Sequence, residues 1–377
     1  MQDLNTRLHT ILDAHIAHSV EDLEHKTCSC AHIMASSRGD MIADIAQGYT
    51  QLEPHKEPLT QMPPIFDLAS VTKCLVPATL AMIAVDQNLC TLDTPLDQLI
   101  PGWSTPETMP QATLLDLLNH SSGLPAWHKY YEDYPFPPKL EDLATLRKTI
   151  LKRVIATPRK APRTDYAYSD LGYIAIMALL EDLFEDTLDN LADKLIFQPL
   201  KMEQTRYINL TKTRPLPWTL EQVVATECTP ERGTVRGIVH DENTHLLGGV
   251  SGHAGVFGSA ADLCSFGTHL LAIDAGTITS PLVSQDTLRL FWSRKTMSAT
   301  GHHLAGWDTP SGQRSSAGRG FTRGRTVGHL GFTGTSIWLE RDTQTCAVLL
   351  TNRVHPTREN KGILDLRIAV HESILNH

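Results

Sequence analysis

The sequence predicts an α+β fold: one antiparallel sheet assembled from both ends of the chain, flanked by helices, with a mainly helical region inserted between its halves. Three observations predict it. Strand-like alternation occurs early, in AHIMASSRGDMIADIAQGY (31–49), and returns late, in HLAGWD (303–308), TSIWLE (335–340) and TCAVLLTN (345–352). Between about 90 and 240, Pro-rich loops alternate with helical periodicity and strand patterns are scarce. Strands and helices segregated in this way argue for packed α+β layers rather than a doubly wound sheet. The expected division is a sheet domain from residues 1–78 and 241–377, a mainly helical domain from 79–240, and a site where they meet.

Taken in order, Leu4, Leu8, Ile11, Leu12 and Ile16 recur at helical spacing and predict an amphipathic first helix. The next alternation brackets Ser37-Arg38-Gly39-Asp40, so a turn between two strands is expected rather than an adhesion tripeptide. Residues 70–89 carry Leu75, Ala78, Met82, Val85 and Leu89 at helical positions. Pro77 falls inside this helix, removes the hydrogen bond to the Lys73 carbonyl and is expected to kink it. Helices are expected over 112–119, 139–155, 171–183 and 187–195. Glycines cluster at 248–258 ahead of a helix at 260–272. A last helix near 361–375 places Leu364, Ile368 and Ile374 on one face.

A chain of 377 residues suggests two structural units and can bury a large core without disulfides. A formal net charge of -9 argues against nucleic acid or anionic membrane as the main partner. The seven cysteines are odd in number and lack C-x-x-C, which suits reduced thiols in a cytoplasmic protein. Cys28 and Cys30 have no partner pair at zinc-site spacing. The first 26 residues show no basic region followed by an apolar one, and apolar runs stay well short of 18 residues, so neither a secretory signal nor a membrane span is expected.

The chemistry concentrates in three segments. In FDLASVTKCLV (66–76), Ser70 precedes Lys73 by three residues, so a helix puts both on one face. The electropositive helix start favours a developing oxyanion, and a desolvated lysine can help deprotonate a serine. The plain alternative is a serine N-cap with a solvated lysine. In DYAYSDLGYIAI (165–176), Tyr168 is a candidate base, provided that its pKa is lowered, and the plain alternative is a packed tyrosine beside an Asp170 N-cap. In TVGHLGFTGTSIWLE (326–340), a Gly-rich turn meets a strand, and the Phe332 N–H paired with that of Ser70 would form an oxyanion hole. A strand with a glycine bulge is the alternative there.

With these segments in order, the chain resembles the serine β-lactamase and penicillin-binding-protein superfamily, in its class C β-lactamase, DD-peptidase and esterase branch. The resemblance spans about 65 to 360. LLDLLNHSSGLP, FQPLKMEQTRY and SGHAGVFGSAADLCSF also look like segments of that branch. The resemblance implies a β-lactamase/transpeptidase-like fold, Ser70 as nucleophile, Lys73 as its partner and Tyr168 as base. It further implies that His329 and Gly331 belong to the third element on the active-site strand, that Asp170 stands at a usual asparagine, and that Asn352, in LLTNRVHP, faces the substrate. His329 and Leu330 replace the lysine and hydroxyl residue that usually help bind a β-lactam carboxylate, so serine acyl transfer is better supported than efficient β-lactam hydrolysis.

The expected function is therefore a serine hydrolase that forms an acyl-enzyme on Ser70 with a small ester, amide or β-lactam; a peptidase or amidase on cell-wall fragments is the alternative. Two other classes remain: a non-catalytic binding relative, and a metallohydrolase built on His240, Asp241 and His245. H-E-x-x-H is absent, as is a full nucleophile elbow around Ser251. A small-molecule substrate is expected, with no cofactor and no metal.

Overall fold

The computed structural model describes residues 3–213, 215–293, 301–312 and 314–376. Strands β1 (Cys30–Ser37), β2 (Asp40–Gln51) and β3 (Glu57–Pro58) come from the N-terminal part. Short strands β4 (Phe66–Asp67), β5 (Arg206–Tyr207), β6 (Cys228–Thr229), β7 (Gly233–Thr234) and β8 (Val256–Gly258) follow, and β9 (Thr326–Leu330), β10 (Ser336–Glu340) and β11 (Thr345–Thr351) come from the C-terminal part. The main sheet has the order β3-β2-β1-β11-β10-β9, and each pairing in it is antiparallel. The two ends of the chain meet at its centre, where Ile33 pairs with Leu349.

Period-two side-chain alternation explains how this sheet is covered. Ala347 and Leu349 of β11 face one side with Ile33, Ala35 and Trp338. There the first helix (Leu4–His15) contributes Leu4, Leu8 and Leu12, and the last helix (Ile363–Leu375) contributes Leu366, Val370 and Ile374. Cys346, Val348 and Leu350 face the other side and join the core shared with the helical region. The helix Ala260–Ala275 lies close on this second face: a Cβ at Gly267 would come within 2.5 Å of Leu339 and 2.6 Å of Cys346 Sγ. The β1–β2 turn has φ 52° at Arg38 and 90° at Gly39, the paired positive angles that a two-residue hairpin needs.

The expected helices exist with altered ends. They span Leu114–Leu118, Leu143–Ile155, Asp170–Phe184 and Leu188–Ala192. Around Pro77 the helix adopts a π-turn over Cys74–Ala78, and the Thr79 hydroxyl donates to the Cys74 carbonyl at 2.9 Å. HLAGWD is not a strand: its Asp308 makes only an isolated bridge to Gly328. The loss follows from its sequence, since Gly306 adopts φ +84° and turns the chain. Among the described residues, no helix is long and apolar enough to cross a membrane.

Candidate active site

The segment before Ser70 is held under strain. Ala69 has φ 47°, a left-handed angle that a side chain disfavours. The Asp67 carboxylate accepts the Ala69 N–H at 2.9 Å and the His240 N–H at 2.7 Å, while burial raises its pKa. Ser70 then sits at the helix start with φ −69° and ψ −9° and makes no capping bond. Its hydroxyl is taken by Lys73 instead, whose Nζ donates to Ser70 Oγ at 2.9 Å. Lys73 is fully buried and also contacts the His253 carbonyl at 3.1 Å and Asp170 Oδ1 at 2.7 Å. The plain reading of the pair as a cap and a solvated lysine fails on both residues.

Tyr168 reaches the same centre from the start of the helix Asp170–Phe184. Ser169, not Asp170, caps that helix, accepting the Gly172 N–H at 3.1 Å. The carboxylate of Asp170 is thereby left for Lys73. Burial, then the Asp170 charge, pushes Tyr168 well above its usual 10, against a hydrogen bond with Ser70. The expected lowering of its pKa does not occur, so the phenol keeps its proton. Lys73 Nζ lies 4.8 Å from the Tyr168 ring centre.

Strand β9 supplies the opposite wall. Burial, then the Lys73 charge, lowers His329 to about 3. Its Nδ1 lies 2.9 Å from the Leu330 carbonyl, which can only accept, so Nδ1 carries the proton. Gly331 is required by closeness: a Cβ there would stand 1.9 Å from Thr335 Oγ1 and 2.6 Å from the Leu68 carbonyl. Thr333 and Thr335 donate to the carbonyls of Asp67 and Leu68, tying this turn to the nucleophile segment. Arg367, buried and lowered to about 9, clamps the carbonyls of Gly331 and Thr335. Among the described residues, the Ser70 and Phe332 amides have no protein acceptor. Both residues line a cavity of about 730 Å³ together with Tyr168, Asp170, His329 and Gly331.

Asn352 does not join them. It is buried, accepts from the Ser29 and Cys30 amides at 3.2 and 2.9 Å, and donates to Ser29 Oγ and the Ala225 carbonyl. Three of these bonds pin the start of β1 to the strand end and the fourth reaches Ala225, which corrects the expectation that it faces the substrate. His240, Asp241 and His245 also separate: His240 pairs with Glu227 at 3.0 Å, Asp241 with His253 at 2.8 Å, and His245 packs against Phe136. Among the described residues, ligand atoms of His302, His303 and Asp308 do come together, beside the cavity. In this arrangement His302 Nδ1 meets Asp308 at 2.7 Å and His303 Nδ1 meets the Tyr166 hydroxyl at 2.6 Å, while His303 Nε2 is buried without a hydrogen-bond partner among the described residues.

Sequence reasoning missed His253. Its Nε2–H donates to Asp241, its Nδ1 meets Ser251 Oγ at 2.8 Å, and its carbonyl receives Lys73. Ser251, His253 and Asp241 touch in the order of a hydrolytic triad, but Ser251 is fully buried. The trio fixes a backbone carbonyl. The missed signal was the Gly-flanked Ser251-Gly252-His253 within the glycine cluster.

A half-buried Ser70 against a fully buried Lys73, a tyrosine and two free amides around one cavity suit acyl transfer by a serine, and comparison with known proteins decides the family. The Beta-lactamase family model matches residues 12–372. The chain belongs to the Beta-lactamase family. It is a serine hydrolase of that family, with the β-lactamase/transpeptidase-like fold. A relative named "Putative D-alanyl-D-alanine carboxypeptidase", from Salmonella gallinarum (strain 287/91 / NCTC 13346), is 26% identical over 322 residues, covering 79% of this chain and 72% of the relative. Among solved structures, EstCE1, a hydrolase with promiscuous acyltransferase activity, aligns with TM-score 0.71 at 18% identity over 99% of this chain and 98% of its own. The D-amino acid amidase of Ochrobactrum anthropi SV3, complexed with L-phenylalanine amide, gives 0.69 at 20% identity over 100% and 99%.

Proposed function

We propose that this Beta-lactamase-family chain hydrolyses small esters or amides through an acyl-enzyme on Ser70. The supporting observation is the 2.9 Å contact between the fully buried Lys73 Nζ and a Ser70 hydroxyl that caps nothing. Ser70 Oγ attacks the substrate carbonyl carbon while its proton passes to Lys73. The carbonyl electron pair moves onto oxygen, which the Ser70 and Phe332 amides hold. Tyr168, which keeps its proton, donates it to the departing alcohol or amine and recovers one from Lys73. Water then attacks the acyl carbon, and Ser70 leaves with its proton restored.

Esters and amides rank above β-lactams because His329 is neutral and Leu330 carries no hydroxyl, so the usual carboxylate holders are absent. A peptidase or amidase acting on cell-wall fragments is the second reading, favoured by the name of the Salmonella relative. The same proposal sets a sheet unit (1–78 and 241–377) against a helical unit (79–240) with the site between them. It also places the protein in the cytoplasm, supported by seven free thiols.

A fluorophosphonate probe and a hydrolysis panel of p-nitrophenyl esters, nitrocefin and a D-Ala-D-Ala peptide test this. Ser70 should carry the adduct and Ser70→Ala should lose labelling. An adduct elsewhere, or undiminished labelling of Ser70→Ala, refutes the assignment, and a clear preference for nitrocefin reverses the substrate ranking.

A further inference from the structure

Three oxygens crowd the Lys73 amine in the resting site, two of them as hydrogen-bond acceptors and Asp170 Oδ1 as an ion-pair partner. An ammonium offers three N–H donors and no lone pair. Its three close partners are Ser70 Oγ, the His253 carbonyl and Asp170 Oδ1. It can accept the Ser70 proton only after giving one up. A backbone carbonyl cannot keep that proton, and the serine is the group to be deprotonated. The Asp170 carboxylate can take it.

The surroundings leave no competitor. The rings of Tyr168 and Tyr173 stand 4.8 and 5.6 Å from Nζ, and burial pushes both phenols well above their usual range. Burial holds His120 well below 6.5 and His329 at about 3, so both imidazoles are neutral at pH 7. Cys74 is raised by burial and gives its S–H to the Val71 carbonyl. Asp308 acts on Tyr168 from further off. Asp170 lines the cavity and its side chain is 22% exposed, so the acceptor of that proton reaches solvent.

We propose that Asp170 is the proton acceptor for Lys73, so that Ser70 is activated through a Ser70–Lys73–Asp170 chain; this rests on the acyl-enzyme function proposed above. One Nζ–H bond breaks and its proton goes to Asp170 Oδ1. The lone pair left on nitrogen takes the Ser70 proton as the Oγ–carbon bond forms. When the tetrahedral intermediate collapses, the leaving group draws a proton from Lys73 by way of Tyr168, and Asp170 returns its proton to Lys73. The asparagine that the family usually carries here could hold the lysine through its carbonyl oxygen but could not take the proton. Asp170 is thus a positioning residue that also sets the protonation cycle.

The test is the rate of fluorophosphonate labelling between pH 5 and 10 for wild type, Ser70→Ala, Asp170→Asn and Asp170→Glu. At pH 7 Asp170→Asn should label about 100-fold more slowly, a typical loss for a removed proton acceptor. Its rate should climb steadily with pH, because its lysine must lose the proton to water, while Asp170→Glu keeps the wild-type profile. An Asp170→Asn rate and profile matching wild type overturn the proposal. Should Asp170→Asn fail to fold, Asp170→Ala is assayed with added formate or formamide. Rescue by formate alone supports proton acceptance; no rescue, or equal rescue by formamide, overturns it. Failure of wild type to label, or labelling of Ser70→Ala, would instead defeat the acyl-enzyme function itself.

Discussion

The Asp67 carboxylate accepts the backbone N–H of Ala69, two residues on, at 2.9 Å, and Ala69 is held at φ 47° immediately before Ser70. A left-handed alanine costs about 1–2 kcal/mol. Its strain is offset by this hydrogen bond and by the threonines that hold the carbonyls of Asp67 and Leu68.

Asp67→Ala leaves the Ala69 and His240 amides unpaired in a buried setting. Urea unfolding should show a loss of about 2–6 kcal/mol, at about 1–3 kcal/mol for each orphaned group. Ester turnover should fall chiefly in kcat, since Ser70 is displaced while the cavity remains. Unchanged stability and unchanged kcat would show that the strained turn holds itself.

Gly331→Ala places a methyl 1.9 Å from Thr335 Oγ1 and 2.6 Å from the Leu68 carbonyl. The turn bearing the Phe332 amide must move away from Ser70. One misplaced oxyanion donor costs about 100-fold in kcat. Steady-state kinetics with p-nitrophenyl butyrate measure this, and a loss of less than threefold would argue against the Phe332 amide as donor.

Asn352→Ala separates a structural role from a substrate-binding one. The substitution strips partners from the Ser29 and Cys30 amides, so about 2–4 kcal/mol of stability should be lost. KM for the ester should stay within twofold of wild type. A raised KM with stability unchanged would return Asn352 to the cavity.

Acid should destabilise the fold through buried histidines. Burial lowers His355 and His371 to about 4 and His329 to about 3, from the usual 6.5. His355 Nε2 must stay unprotonated to accept the Leu52 N–H at 2.8 Å. As pH falls, the unfolded chain binds protons first, so their stabilisation is complete above about 6.5 and is lost toward 4 and 3. Each group costs about 1.4 kcal/mol per pH unit across that window. Melting temperature should therefore drop steeply from pH 7 to pH 5, and His371→Gln should flatten the slope. A flat profile in wild type would mean that these imidazoles titrate normally.

Much of the fold could be read in the chain because its signals are local. Alternation in TCAVLLTN marks a strand with two covered faces, and β11 sends Cys346, Val348 and Leu350 to one core and Ala347 and Leu349 to the other. HLAGWD misled because apolar residues at the right spacing do not reveal a left-handed glycine. Asn352 misled because its neighbours in sequence end a strand beside the site, whereas its bonding partners Ser29 and Cys30 lie more than 300 residues away.

The sequence by itself determined the layered α+β architecture and the placing of Ser70 and Lys73 on one helical face, both consequences of periodicity within a few residues. Tertiary structure decided what those groups can do. Lys73 meets Asp170 only because Ser169 takes the cap of a helix a hundred residues away. Tyr168 keeps its proton, and His329 stays a neutral imidazole, only because folding removes water from both. Proton affinity depends on the dielectric and on charges brought close from distant parts of the chain, and no local pattern of residues encodes either.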